Sequence, residues 1–203
     1  MTRGFVPLLA CVLAVGIAAL SSATEGFRVV TSEGARRLAV ERHPRALPDV
    51  TMVDQDGGAF SLADYRGKTL LVDFIYTSCP TICSVLGDDF RHVLDLAYSK
   101  EANGIDLLSI SFDPADDDRQ ALRDYGERHG AAPPRWRIAA PEDRRGLAQL
   151  LGAFGTIVIP DGNGGFVHSS AVYLVDPRGR LARILDPDAP SSLFAAAVEQ
   201  AAR

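Results

Sequence analysis

Residues 69–83 read Thr-Leu-Leu-Val-Asp-Phe-Ile-Tyr-Thr-Ser-Cys-Pro-Thr-Ile-Cys. The first eight form a β-rich, almost wholly apolar run, the pattern of a strand buried on both faces. The run ends at Thr77-Ser78-Cys79, and Pro80 then suits the first turn of a helix, predicted to reach about Ser99. A thiol at a helix N-terminus ionises more readily than a free one, because that end favours anions. On a helix, residues i and i+4 share a face with Cβ atoms roughly 5–6 Å apart. That spacing lets the sulfurs of Cys79 and Cys83 reach one soft ion. It is wider than the about 3.5–4.5 Å of a relaxed disulfide, so the pair permits both chemistries and leans toward metal.

Working outward, Ile105–Phe112 is a second buried strand, and Asp113-Pro114 opens a helix running to about His129, stopped by Gly130. Asp113 is expected to cap that helix, with a role at the site as the alternative. The acidic run Asp116-Asp117-Asp118 reads as a solvated first turn. Residues 51–60 alternate around Asp56-Gly57, a hairpin signal. A short strand is expected at 136–139, a helix at 142–151, and a mobile Gly-rich loop at 162–165. The hairpin 170–175/181–185 and a closing helix over 191–203 follow. This order predicts an α/β, thioredoxin-like fold: a central mixed sheet flanked by helices, with an N-terminal hairpin extension.

The chain has 203 residues, 47% of them hydrophobic, enough for one domain with a full core. A net charge of −5 without any basic stripe argues against nucleic acid as a partner. Arg3 followed by the apolar run 5–20 and the small residues Ser21-Ser22-Ala23 reads as a cleaved signal peptide, with a retained membrane anchor as the alternative. Either reading leaves everything after Glu25 on the non-cytoplasmic side. The expected divisions are 1–23 as leader or anchor, 24–47 as lead-in, and 48–203 as the folded domain. Cys11 is one apolar residue of the leader. The remaining two thiols, Cys79 and Cys83, then serve an exported domain as a disulfide, a metal site, or both.

Two thiolates make a two-coordinate site, and a third donor would complete a trigonal Cu(I) centre. Four histidines compete. His43 lies in the lead-in, His92 well along the helix after Cys79, and His129 at a helix end beside Gly130. His168 precedes a strand, in a loop that returns to the carboxyl ends of the other strands, where Cys79 lies. Position alone leaves a metal ligand and an ordinary loop histidine both open.

Three stretches, in this order, carry a resemblance: Phe74-Ile-Tyr-Thr-Ser-Cys79-Pro-Thr-Ile-Cys83, Ser109-Ile-Ser-Phe-Asp113-Pro114, and His168-Ser-Ser-Ala-Val-Tyr-Leu-Val-Asp-Pro177. From about Leu47 to Leu185 the chain resembles the Sco/SenC family. The resemblance implies one copper ion, Cu(I) or Cu(II), held by Cys79, Cys83 and His168. It also implies a role in maturing the dinuclear copper centre of cytochrome c oxidase, with subunit II as the copper acceptor and other exported copper carriers as further partners. Many members keep a membrane anchor, here residues 5–23, so the domain is expected in the periplasm, soluble or held at the inner membrane. Three positions depart from the family pattern: Ser84 for proline, Thr81 for an acidic residue, and Val167 for aspartate. The last change bears on the groups that orient the imidazole, or on partner docking.

The rival reading is a thiol–disulfide oxidoreductase using Cys79 and Cys83 as a redox-active disulfide, although such pairs on this fold normally have two intervening residues and not three. Such enzymes also carry a cis-proline before the facing strand, where this chain has His168-Ser169. A peroxidase is disfavoured, because Thr77 lies two residues before Cys79 and the Thr-x-x-Cys pattern is missing. A copper sensor or store is the third possibility.

Overall fold

The computed structural model describes residues 5–23, 31–79 and 82–185. The expected closing helix over 191–203 lies outside them. The chain divides into two compact units, 1–43 and 44–203.

The first unit holds two helices, α1 (Phe5–Ala23) and α2 (Ser32–Arg42). The Thr31 hydroxyl caps α2 by accepting the Gly34 N–H at 3.0 Å, and Glu33 pairs with Arg36 and Arg37. Among the described residues no helix is long and apolar enough to cross a membrane.

The second unit is built on an eight-stranded mixed sheet. Its strands are β1 (Arg45–Ala46), β2 (Met52–Asp54), β3 (Ala59–Phe60), β4 (Thr69–Ile75), β5 (Ile105–Ser111), β6 (Trp136–Pro141), β9 (Val172–Val175) and β10 (Arg180–Leu185). They lie in the order β1-β10-β9-β4-β5-β6-β2-β3. β4, β5 and β6 run parallel and the others antiparallel. A separate two-stranded sheet pairs β7 (Val158–Pro160) with β8 (Phe166–His168). Every residue of β4 and β5 is buried, as their apolar runs require.

Strand register sorts the core into two faces. Asp73, Ser109 and Ile138 are neighbours across β4-β5-β6, as are Phe74, Ile110 and Ala139 one residue on. The Asp73 face is covered by α3 (Ile82–Ser99) and α4 (Arg119–His129), with Phe90 of α3 packed on Trp136 at 5.7 Å between ring centroids. The Phe74 face is covered by α5 (Arg144–Phe154), whose Phe154 ring lies 5.3 Å from Phe74. The expected N-terminal hairpin is β2–β3, added to the sheet beyond β6. Its turn needs Gly57 at φ +88°, and the Asp54 carboxylate takes the Asp56 and Gly58 N–H groups.

Several local expectations change. α4 starts at Arg119, five residues past Pro114, and its cap is Asp118, which accepts the Ala121 N–H at 2.8 Å. Asp113 does not cap it, and its own N–H goes to the Ser111 hydroxyl. Asp117 is buried and so is not part of a solvated turn. Residues 162–165, expected as a mobile loop, form the turn of the β7–β8 hairpin, where the Asp161 carboxylate accepts from the Asn163 and Gly165 N–H groups. Gly130 does end α4, in the left-handed conformation.

Candidate metal centre

Both cysteines sit at the carboxyl end of β4. Cys79 lies in the turn after the strand, its N–H donating to the Tyr76 carbonyl at 3.1 Å, and stands outside α3. Cys83 is in the first described turn of that helix, fully buried. The premise that the two share one regular helical face therefore fails, since one is on a turn and the other on a helix. They nevertheless meet. The thiols are close enough to share a hydrogen bond and are not joined in a disulfide. Burial pushes the Cys83 thiol well above its ordinary pKa, the Tyr76 backbone N–H opposes that, and Cys79 and Asp73 add to it. Cys83 is thus held as a thiol until something replaces its proton.

His168 closes β8, paired with Val158 in β7. β9 runs antiparallel to β4, with Val72 opposite Tyr173, so the residues before β9 return to the end of β4 that carries the cysteines. The topology thus delivers the imidazole to the expected side of the molecule. The ring packs against Phe112 at 5.0 Å and Tyr76 at 6.1 Å between centroids. Phe166 completes this aromatic cluster, 5.2 Å from Tyr76 and 5.3 Å from Phe112.

Among the described residues neither imidazole nitrogen has a hydrogen-bond partner of normal geometry, and both are buried. Burial holds the His168 pKa below its usual value, with only the Ser169 backbone pulling the other way. A neutral ring with two idle nitrogens is the form that ligates a metal. The cluster also shuts water away from one side of those nitrogens.

Tyr76 links the halves of the site. Its phenol is raised above the ordinary pKa by burial, by a hydrogen bond with Cys79, and by the nearness of both thiols, while its ring meets that of His168 edge-on. Among the described residues, no three His, Cys, Asp or Glu side chains are gathered closely enough to hold a metal ion. The structure therefore brings Cys79 and Cys83 together and sets His168 beside Tyr76, at the same end of the sheet but not in a finished cage.

The other histidines are elsewhere. His43 caps α2 and is exposed, and His92 is exposed on α3. His129 is buried, with Nδ1 3.1 Å from an Asp88 carboxylate oxygen. No cis bond occurs at residues 168–169, and the cis peptide among the described residues is Pro133–Pro134.

Tyr76, Asp117 and the aromatic pair Phe112–Phe166 are the site residues that reading the motifs missed. Asp117 lay hidden in an acidic run whose polarity pointed to solvent. Tyr76 and Phe112 each end an apolar stretch and so read as core. Val167 is 65% exposed on the outer side of β8, so the carboxylate that the resemblance leads one to expect there would face solvent and not the imidazole.

The SCO1/SenC family model matches residues 40–203. The SCO1 protein homolog of Bacillus subtilis (strain 168) is 32% identical over 135 residues, spanning 64% of this chain and 68% of that protein. Among solved structures, BsSco, described as a member of the Sco family of cytochrome c oxidase assembly proteins, is 26% identical with a TM-score of 0.64. The match covers 79% of this chain and 95% of BsSco. Copper-bound ScoI of Bradyrhizobium japonicum has the same fold at a TM-score of 0.65 and 23% identity, over 76% of this chain and 98% of that one. With the family model matched over residues 40–203, and with two thiols and a histidine carried to one end of a thioredoxin-like sheet, one conclusion follows: this chain belongs to the SCO1/SenC family.

Proposed function

We propose that this protein is a copper-binding assembly factor. It takes one copper ion as cargo through Cys79, Cys83 and His168, and passes it to a thiol-bearing acceptor in the maturation of cytochrome c oxidase. The observation that carries this reading is the presence, at one end of the sheet, of two adjacent buried thiols and a neutral imidazole whose nitrogens are both buried and, among the described residues, unpartnered. Two thiols and one imidazole are a donor set suited to soft Cu(I). A buried imidazole without a hydrogen bond is also a cost to folding that a ligand would offset.

In this reading the imidazole closes on the sulfurs as copper binds, and the thiol protons leave. The acceptor is subunit II of the oxidase, and other exported carriers supply the ion. The apolar segment 1–23, as cleaved leader or inner-membrane anchor, places the copper domain 48–203 in the periplasm, with 24–47 leading into it.

Titration of the reduced full chain with Cu(I) against a competing chelator tests the reading. It should give one ion per chain, with tight binding lost in Cys79→Ser and Cys83→Ser and weakened at least tenfold in His168→Ala, about the loss of one metal ligand's worth of affinity. Full retention in His168→Ala would remove His168 from the site.

The closeness of the two thiols also favours a second reading, a thiol–disulfide oxidoreductase that keeps an acceptor's cysteines reduced. It requires turnover of a disulfide substrate that needs both cysteines and tolerates His168→Ala.

A further inference from the structure

Thr77 lies two residues before Cys79, and all of its polar groups are engaged. The Asp117 carboxylate accepts the Thr77 N–H at 3.1 Å and its hydroxyl at 2.6 Å. Arg128 Nη2 donates to the Thr77 carbonyl at 3.1 Å. Asp117 also accepts the Ser111 hydroxyl at 2.5 Å, which ties the thiol turn to the end of β5. On the other side of the pair, the Tyr125 hydroxyl donates to the Cys83 carbonyl at 2.8 Å.

Asp117 stands just ahead of α4, and Tyr125 and Arg128 lie within it. Their side chains are themselves linked, with the Arg128 guanidinium 5.6 Å from the centre of the Tyr125 ring. The stretch from Asp117 into α4 therefore grips the backbone before Cys79 and again at Cys83. The grip is stiff for a physical reason. A carboxylate buried to 5% exposure is tolerable only while hydrogen-bonded, and its side-chain-bound donors are Thr77 and Ser111. The turn cannot swing away without leaving that carboxylate short of partners. Closing a disulfide demands a particular approach of the two Cβ atoms and a particular torsion. A backbone held on both sides resists that adjustment.

We propose that Asp117, Tyr125 and Arg128 are positioning residues that hold Cys79 and Cys83 in the reduced, ion-accepting arrangement and oppose their closure into a disulfide. The link to copper rests on the function proposed above, but the grip itself is testable by thiol chemistry alone.

The full chain is equilibrated with mixtures of reduced and oxidised glutathione. In this exchange the two thiols give up two protons and two electrons, the Cys79–Cys83 S–S bond forms, and the glutathione disulfide breaks into two thiols. Alkylation and peptide mapping separate this pair from Cys11 and give the equilibrium constant. Asp117→Asn and Arg128→Ala are expected to shift the constant about five- to tenfold toward the disulfide, the worth of roughly one hydrogen bond. Cu(I) affinity should fall by a similar factor. Thr77→Ser keeps the hydroxyl and should match the unmodified chain. Arg128 is exposed in this contact, so its variant carries the test if Asp117→Asn does not fold. Unchanged constants in folded Arg128→Ala and Asp117→Asn overturn the proposal. If the constants shift while the unmodified chain takes no Cu(I), the grip stands and the copper reading fails.

Discussion

The rings of Tyr76 and His168 meet edge to face, with centroids 6.1 Å apart and planes at 87°. Tyr76 therefore keeps water from the imidazole while its hydroxyl attends to Cys79. Tyr76→Ala is expected to destabilise the metal-free fold by about 3–5 kcal/mol, as for other buried aromatic truncations. It should also let the His168 pKa rise toward its ordinary value, because burial is what lowers it. Tyr76→Phe keeps the ring and should leave that titration where it is. Urea denaturation and NMR titration of the His168 ring read both effects.

Asp73 faces Ser109 across β4 and β5, deep in the sheet, and among the described residues neither carboxylate oxygen finds a hydrogen-bond donor of normal geometry. The Ser109 hydroxyl lies near enough to favour the ionised form slightly, and receives the Trp136 indole N–H at 3.1 Å. Burial dominates and raises the Asp73 pKa from 3.8 to about 7. The folded chain thus holds this proton more tightly than the unfolded one. Stability should fall as pH rises from about 4 to about 7 and then level off, a loss of the order of 4 kcal/mol. Asp73→Asn should flatten that slope and be the more stable protein at pH 8. Parallel denaturation profiles for the two proteins at pH 5 and pH 8 would refute this.

Gly87 of α3 faces the ring of His129 on α4. A Cβ there would stand 2.7 Å from the ring of buried His129. In an open helix, glycine to alanine gains about 1 kcal/mol. Here the collision should reverse the sign, and Gly87→Ala is expected to cost about 1–3 kcal/mol net. A raised midpoint in thermal melting would show that His129 moves aside freely.

Val167→Asp places a carboxylate next to His168 in the chain. Because position 167 is 65% exposed on the outer side of β8, stability should change by no more than about 0.5 kcal/mol. Cu(I) affinity should stay within twofold, and any gain should appear in binding to the acceptor protein. A tenfold tighter hold on Cu(I) would mean that the carboxylate reaches the imidazole after all.

β4 and β5 are legible in the chain because strands covered on both faces leave unbroken apolar runs, and the parallel order follows from the helix between them. The thiol pair and the distal histidine stand out in the chain because few residue types bind a soft ion, and the fold brings them to one end of the sheet without gathering them round a single point. The β7–β8 hairpin is not, since Val158–Pro160 is short, ends in proline and lies beside a glycine-rich turn that reads as slack. Asp117 is hidden for the opposite reason. An acidic triplet reports its average polarity, and only the fold decides that the middle carboxylate turns inward to Thr77 and Ser111 while Asp118 caps the helix.

The cysteines hang from the eight-stranded sheet, whereas His168 ends a strand of a different, two-stranded one. Advancing or withdrawing the imidazole therefore breaks no ladder hydrogen bond of the main sheet. In the copper site proposed above, such a division would let the coordination number of the held ion fall from three to two without opening the main sheet. A carrier that must surrender its ion needs a grip that can be undone by one finger at a time.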